Sequence, residues 1–181
     1  IGERQVGCPL VVHRRCIEPM FSISNMISYD NRMFNKTHKK EDYLKQEQPF
    51  LIKKSGWINV EGTENGSKDH FVKNQAERVC QLLENALHIY TNLYETDDKI
   101  FIITPFRTVA ESMRKFVIGY FSVKGYDKEM LTKWTKNCVG TVHTFQGKDA
   151  NEVLFVLGCS DKSVGAMNWV VKKANILNVA C

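Results

Sequence analysis

Short apolar segments alternate with amphipathic helical segments along this chain, and no other feature constrains the fold as strongly. The clearest apolar segment, Ile100 to Thr104, has the length of a strand and is closed by Pro105. The longest helical pattern runs from Phe71 to Tyr94. Apolar strands separated by helices are typical of a mainly parallel sheet with helices on both faces. We therefore predict an α/β domain over residues 1–181, with its functional residues at the carboxyl ends of the strands.

The other segments continue this alternation. Further strands are predicted at Leu10 to His13, Gly56 to Val60, Cys138 to Val142 and Val153 to Leu157. Further helices are predicted over Met20 to Tyr29, Val109 to Tyr120 and Ala166 to Lys173. A Gly/Lys/Asp-rich connection precedes the strand at Cys138. Within residues 31–70, which we assign no role, a solvated excursion is rich in lysine (Lys36, Lys39, Lys40 and Lys45).

The composition is that of a globular protein, with 43% hydrophobic and 25% charged residues. No apolar run approaches the ~18–20 residues that cross a bilayer, and no signal peptide is visible. We therefore expect no membrane partner and a cytoplasmic location, or the nucleus in a eukaryote. Six cysteines without a CxxC pair predict reduced thiols and no metal site. A net charge of +5 suits a polyanionic partner without identifying one.

The segment richest in chemistry is Val139 to Asp149, a strand followed by a polar loop. Thr141 and His143 can donate hydrogen bonds to phosphate oxygens, and Gly147 lets the backbone approach a ligand closely. Asp149 can accept from a ribose hydroxyl or orient a water. This is not a Walker A loop, because that loop needs serine or threonine after its Gly-Lys pair, where this chain has Asp149. No other segment is a P-loop.

Four segments, in order along the chain, resemble motifs of superfamily 1 nucleic-acid helicases. Thr141 to Asp149 resembles motif V in the form found in the nonsense-mediated-decay helicase and its DNA-helicase relatives. The other three are Val11 to Met20 with Asn25 and Tyr29, similar to motif IV; Ile103 to Arg107, similar to a strand end that touches the nucleic-acid backbone; and Asn175 to Cys181, similar to the opening of motif VI. The chain is thereby identified as a second RecA-like domain, of the P-loop-NTPase type but without its own P-loop. We expect it to be cut within motif VI, before the arginine finger.

The resemblance implies an ATP site shared with a preceding RecA-like domain of the same protein, which supplies the P-loop lysine and the Mg²⁺-binding carboxylates. ATP and Mg²⁺ are the expected cofactors. Arg14 fits best the catalytic arginine that reaches the γ-phosphate, with Arg15 as the alternative. The motif V residues implied in ATP binding are Gln146, Gly147 and Asp149. Many relatives carry glutamate in place of this aspartate, which has a shorter reach.

The same resemblance implies contacts to single-stranded DNA or RNA from two segments. We expect a monomer that grips the strand chiefly through its phosphates. The aromatic rings of Phe106 and Phe145 either pack on a base or sugar or pack beneath their loops. The implied contact residues are Thr104, Pro105, Phe106, Arg107, Thr141, His143 and Thr144.

The predicted function is therefore that of an ATP-dependent helicase or translocase. Because Walker A and Walker B motifs are missing, we expect this chain alone neither to bind ATP tightly nor to hydrolyse it. One alternative is a non-catalytic helicase-like module that binds nucleic acid. Another is a kinase or dinucleotide-dependent oxidoreductase, against which the missing GxGxxG and P-loop patterns count. A partner-docking role for residues 31–70 is a third alternative.

Overall fold

The computed structural model describes residues 10–14, 16–37, 55–66, 69–86, 92–97, 99–172, 176 and 178. They fall into two compact units, one drawn from Ile1–Gln48 and the other from Pro49–Ala180. Within the described residues, the three pairings between strands are all parallel. The predicted α/β class is confirmed.

The first unit contains two short parallel strands and the helix between them. Strand β1 (Val12–His13) is followed by helix α1 (Met20–Ser28) and strand β2 (Phe34–Asn35), which pairs with β1. The buried side chain of Asn25 holds the backbone of the segment that leads from α1 to β2. It accepts the Met33 N–H at 3.0 Å and donates to the Met33 carbonyl at 3.1 Å. Strand β2 therefore occupies a stretch that the sequence predicted as part of a solvated excursion.

The sheet of the second unit has three strands in the order β4-β3-β5. They are β3 (Ile100–Thr104), β4 (Val139–Thr141) and β5 (Glu152–Phe155). Every residue of the central strand β3 is buried, because strands pair with both of its edges and helices cover both of its faces. A continuous apolar segment forms this strand for that reason.

Five helices and a 3₁₀ turn surround this sheet in the described residues. They are α2 (Lys73–Ala86), the 3₁₀ turn Leu93–Thr96, α3 (Arg107–Ser122), α4 (Lys128–Cys138), α5 (Val142–Phe145) and α6 (Val164–Lys172). On one face, Ile100 and Ile102 pack into a large core with residues of α2, α3 and α4. On the other face, Phe101 and Ile103 pack with residues of α5 and α6, including Val170. The helices on both faces agree with the prediction.

Helix α4 lies where the sequence predicted only a connection. Asp127 caps it by accepting the Met130 N–H at 2.8 Å, and its buried residues Leu131, Trp134, Thr135 and Cys138 recur at helical spacing. Trp134 donates its indole N–H to the Thr96 hydroxyl at 3.1 Å. Both the cap and the apolar spacing were present in the sequence, so this helix was predictable.

Other boundaries also differ from the predictions. Residues 56–60 are not a strand, since segment 55–63 pairs with no strand in the described part of the chain and Trp57 is 76% exposed. Strand β4 ends at Thr141 because α5 begins at the next residue. The helix predicted over residues 71–94 ends at Ala86, and residues 87–91 lie outside the described residues. The cluster Lys39, Lys40 and Lys45 also lies outside them.

The four cysteines in the described residues, Cys16, Cys80, Cys138 and Cys159, are free thiols, and three of them are buried. This agrees with the prediction of reduced cysteines. Burial and the nearby charge of Glu84 raise the pKa of the Cys80 thiol to about 12. In the described part of the chain, no helix combines the length and the apolar character needed to span a bilayer.

Candidate nucleic-acid interface

The candidate interface is built on the carboxyl ends of β3 and β4. These strands are parallel neighbours, and Thr104 is paired in register with Thr141. The segments that follow the two strands therefore leave the same edge of the sheet side by side. The predicted contact residues fall on these two segments, which belong to the second unit.

The segment after β3 is a tight connection into α3. Thr104 is only 1% exposed, and its hydroxyl accepts the Phe106 N–H at 3.5 Å. Its side chain thus stabilises the turn from inside and does not reach the surface. Arg107 opens the helix with an 88% exposed side chain, and its Nε donates to Glu111 Oε1 at 2.9 Å. Such an exposed pair leaves the guanidinium accessible to a ligand.

The segment after β4 turns at once into the short helix α5. The hydroxyls of Thr141 and Thr144 are 3.0 Å apart and hydrogen-bonded, while His143 is exposed. Phe145 packs beneath the helix against Phe101, with ring centroids 4.3 Å apart. The packing of Phe145 on Phe101 thus holds one side of α5 against the sheet, while His143 and Thr144 are exposed.

Gly140 permits this close packing. A Cβ atom at this position would lie 2.9 Å from Phe145 Cε2 and 3.1 Å from the Cβ of Thr144. The backbone of β4 is thus so near the helix that follows it that a side chain would displace the Thr144 contact. Glycine is required here by space and not by its backbone angles.

A cleft of about 410 Å³ lies between the two segments. Both predicted contact segments contribute to its lining, so the structure brings them to one site. Glu111 and Arg114 add charged side chains, and Trp169 of α6 adds an aromatic one. The lining residues are Pro105, Arg107, Ala110, Glu111, Arg114, Thr141, His143, Thr144 and Trp169.

Arg114 joins the cleft to the sheet. Its Nε and Nη2 donate to the carbonyl oxygen of Val139 at 2.9 and 2.7 Å, which ties α3 to β4. A guanidinium has five N–H donors, and these two bonds use two of them. Sequence reasoning missed Arg114, although its spacing of seven residues from Arg107 puts both on one face of a helix.

The aromatic residues of this region divide into two groups. Phe106 packs between His70 and Trp169, with ring centroids at 4.8 and 5.7 Å, and does not line the cleft. Phe145 is likewise buried. Both predicted aromatic candidates therefore pack beneath their loops. The aromatic side chain that lines the cleft is Trp169, which sequence reasoning did not single out.

The predicted ATP-binding residues lie elsewhere. Gln146, Gly147 and Asp149 are exposed on the loop after α5, with Gly147 at φ +83°, and none of these three described residues lines the cleft. Arg14 is an exposed residue of the first unit, directly after β1. Arg15 lies outside the described residues.

A second cluster of polar groups lies away from the cleft, around Glu64, His70 and Cys159. These three could offer ligand atoms within 4.8 Å of one another. However, the Glu64 carboxylate already accepts from the Ser160 N–H at 2.7 Å, from the Ser160 hydroxyl at 3.1 Å and from His70 Nδ1 at 2.9 Å. Burial alone would raise the pKa of Glu64, but hydrogen bonds from Ser163, Ser160 and His70 lower it to about 2. This charged cluster ties the segment before α2 to the loop after β5.

The sequence matches the AAA domain family over residues 4–181. The chain belongs to this family. It is a helicase-like, ATPase-type domain with the RecA-like fold, in accord with its parallel strands and flanking helices. Domains of this type generally use ATP and Mg²⁺. No curated protein matches the chain significantly.

Proposed function

We propose that this AAA domain is the second motor domain of an ATP-dependent superfamily 1 helicase or translocase, and that its cleft holds the backbone of a single nucleic-acid strand. The observation that carries the proposal is that the segments after β3 and β4, both predicted to contact nucleic acid, line one cleft. Their side chains lie on adjacent strand ends, so one strand can contact both.

The chemistry of the lining suits phosphate oxygens, which are acceptors only. Arg107, Arg114, Thr141, His143 and Thr144 all offer N–H or O–H donors. The lining contains two guanidinium groups and one carboxylate, that of Glu111. Its permanent charges are therefore net positive and favour an anion. Contacts of this kind position a strand without selecting its sequence.

The short helix α5 supports a coupling between the strand and ATP. Its residues His143 and Thr144 line the cleft together with Thr141, the last residue of β4, and the loop directly after α5 carries Gln146 and Gly147. The proposed nucleotide contact Gln146 thus follows the proposed strand contact Thr144 by only two positions in the sequence. A shift of this loop when ATP binds or is hydrolysed would move the strand contacts with it.

The residues that would meet ATP are suited to its phosphates but do not form a complete site. Arg14 and the loop of Gln146, Gly147 and Asp149 are exposed, as residues that complete a site from outside must be. Because this chain has no P-loop, the first motor domain has to bind ATP and Mg²⁺. When bound, they supply the phosphoryl group that is transferred to water and the cation that neutralises its charge. Arg14 would stabilise charge that develops on the γ-phosphate, a contribution worth about 10³–10⁵ in rate in other nucleotidases.

The test uses the full-length protein that contains this domain. We expect single-stranded oligonucleotides to bind with a strong salt dependence and to stimulate ATP hydrolysis. A variant with Thr141→Ala and His143→Ala should bind weakly and lose the stimulation while keeping its basal turnover. If this variant binds and responds as the unsubstituted protein does, the cleft is not the strand site. Strand binding without any ATP turnover would instead identify a non-catalytic binding module.

The 181-residue chain by itself provides a further test. Because it has neither a P-loop nor a Walker B carboxylate, we expect no ATP turnover above background. Measurable turnover by the pure chain would contradict the proposed division of the ATP site between two domains.

A further inference from the structure

Among the described residues that line the cleft, Trp169 is the one tryptophan, tyrosine or phenylalanine. It lies on α6, and its side chain is 42% exposed, which is high for the largest apolar side chain in a folded protein. The other lining residues are mostly hydrogen-bond donors and short side chains. The cleft therefore has a polar side formed by the β3 and β4 segments and an indole beside it.

Helix α6 is anchored to the sheet by a residue other than Trp169. The next residue, Val170, is fully buried and packs in the same core as Phe101 and Ile103. Val170 therefore holds α6 against the sheet, while Trp169 is partly exposed beside it. Because Val170 already anchors α6, the partly exposed side chain of Trp169 is available for a contact at the surface.

The Trp169 ring is supported from behind. Phe106 lies 5.7 Å from it, centroid to centroid, with 33° between the ring planes, and the His70 ring lies 4.8 Å from that of Phe106. His70 in turn is paired with Glu64, whose carboxylate is held by Ser160. The indole thus packs against Phe106 in a tilted contact, which restricts the Trp169 side chain and reduces the side-chain entropy lost when a planar ligand packs on it.

We propose that Trp169 is a stacking platform for one nucleobase of the strand whose phosphates contact the polar side of the cleft. This inference rests on the proposed function, and it adds a base contact to a site otherwise made of backbone contacts. Every base has a π-face, so the platform tolerates any sequence. The cleft volume of about 410 Å³ is near the lower end of the ~300–1,000 Å³ usual for small-ligand sites, which suits one nucleotide better than a paired duplex.

The test compares two oligonucleotides of equal length and charge, one of thymidines and one of abasic sugar-phosphate units. The full-length protein should bind the thymidine strand more tightly by about 5- to 150-fold, the range expected for one stacked base. A ribose pair, oligouridine and its abasic analogue, covers an RNA substrate. Trp169→Ala should bring the preference close to one, and Trp169→Phe should retain much of it.

Two controls separate this inference from the function on which it rests. Trp57→Ala removes a more exposed tryptophan that does not line the cleft, and it should leave the preference unchanged. The double variant Thr141→Ala, His143→Ala should weaken binding of both strands by a similar factor. A preference that survives Trp169→Ala overturns the platform and leaves the proposed function standing. If the unsubstituted protein binds neither the thymidine strand nor the uridine strand, both the platform and the proposed function are overturned.

Discussion

Thr104 and Thr141 are register partners at the carboxyl ends of two adjacent parallel strands. This pairing fixes the separation of the two segments that follow, one opening α3 and the other forming α5. Parallel neighbouring strands place both chain exits on one edge, so residues 37 positions apart in sequence line a single cleft.

Arg107 should supply part of the electrostatic attraction for a single nucleic-acid strand. Arg107→Ala removes one exposed cation, so we expect weaker binding and a salt dependence shallower by about 0.7 in the slope of log K against log salt. The matched variant is Glu111→Gln, which frees Arg107 from its ion pair and should strengthen binding. Titrations at several salt concentrations measure both, and equal slopes for all three proteins would exclude a phosphate contact by Arg107.

Gly140→Ala should destabilise the domain and displace α5, the helix that follows β4. The added methyl would meet Phe145 Cε2 at 2.9 Å, and overpacking of this kind typically costs about 1–3 kcal/mol. Gly119→Ala is the matched control, because Gly119 is an exposed residue inside α3 with nothing within 4 Å of an added Cβ. That change should raise stability by roughly 0.5–1 kcal/mol. Urea unfolding of the two variants should therefore move in opposite directions, and a shift of both in one direction contradicts the packing described.

Arg114 should have both a structural and a binding effect. Arg114→Ala leaves the carbonyl of the buried Val139 without its two donors, a loss of about 1–3 kcal/mol. Arg114→Lys keeps the charge but cannot reproduce the two-donor geometry. We expect the lysine variant to regain strand affinity more fully than thermal stability. A lysine variant as stable as the unsubstituted protein would argue against the structural bond.

The sequence was sufficient for the parts of the fold that depend on local pattern. The apolar segment at Ile100–Thr104 forms the buried central strand, and the residues that resemble motif V do lie at a strand end. The strand predicted at residues 56–60 does not form, because an apolar segment becomes a strand only where another edge is available to pair with it. Such pairing is a tertiary property that a local pattern does not contain.

The site was predicted incompletely for a similar reason. The segments Pro105–Arg107 and Thr141–Thr144 were predicted from motifs to contact a nucleic-acid strand. The cleft that they line also takes Arg114 and Trp169 from helices that carry no motif. Thr104 was expected to contact the strand, yet its side chain is buried because β3 is covered on both faces. Which face of an element meets a neighbour depends on packing between distant residues.

Glu64 should make stability depend on pH in the acid range. Its pKa is about 2 in the folded protein against an ordinary value of 4.5, so the ionised form favours folding. The stabilisation is complete above about pH 4.5 and is lost as the pH falls from there toward 2. Glu64→Gln should lower stability at neutral pH and flatten the profile between these limits. Urea unfolding across the range measures it, and Glu61→Gln, at an exposed neighbouring position, should keep the unsubstituted profile.

Arg14 should act on ATP turnover and not on the strand. In the full-length protein, Arg14→Ala removes the cation proposed to stabilise the γ-phosphate, so kcat should fall by about 10³ or more. Single-strand affinity without nucleotide should remain within a factor of two, because the proposed strand contacts belong to the second unit. Arg32→Ala is the matched control, since Arg32 is another exposed arginine of the same unit and is paired only loosely with Asp30 at 3.8 Å. Unchanged turnover in the Arg14 variant, or an equal loss in both, would rule out a γ-phosphate contact by Arg14.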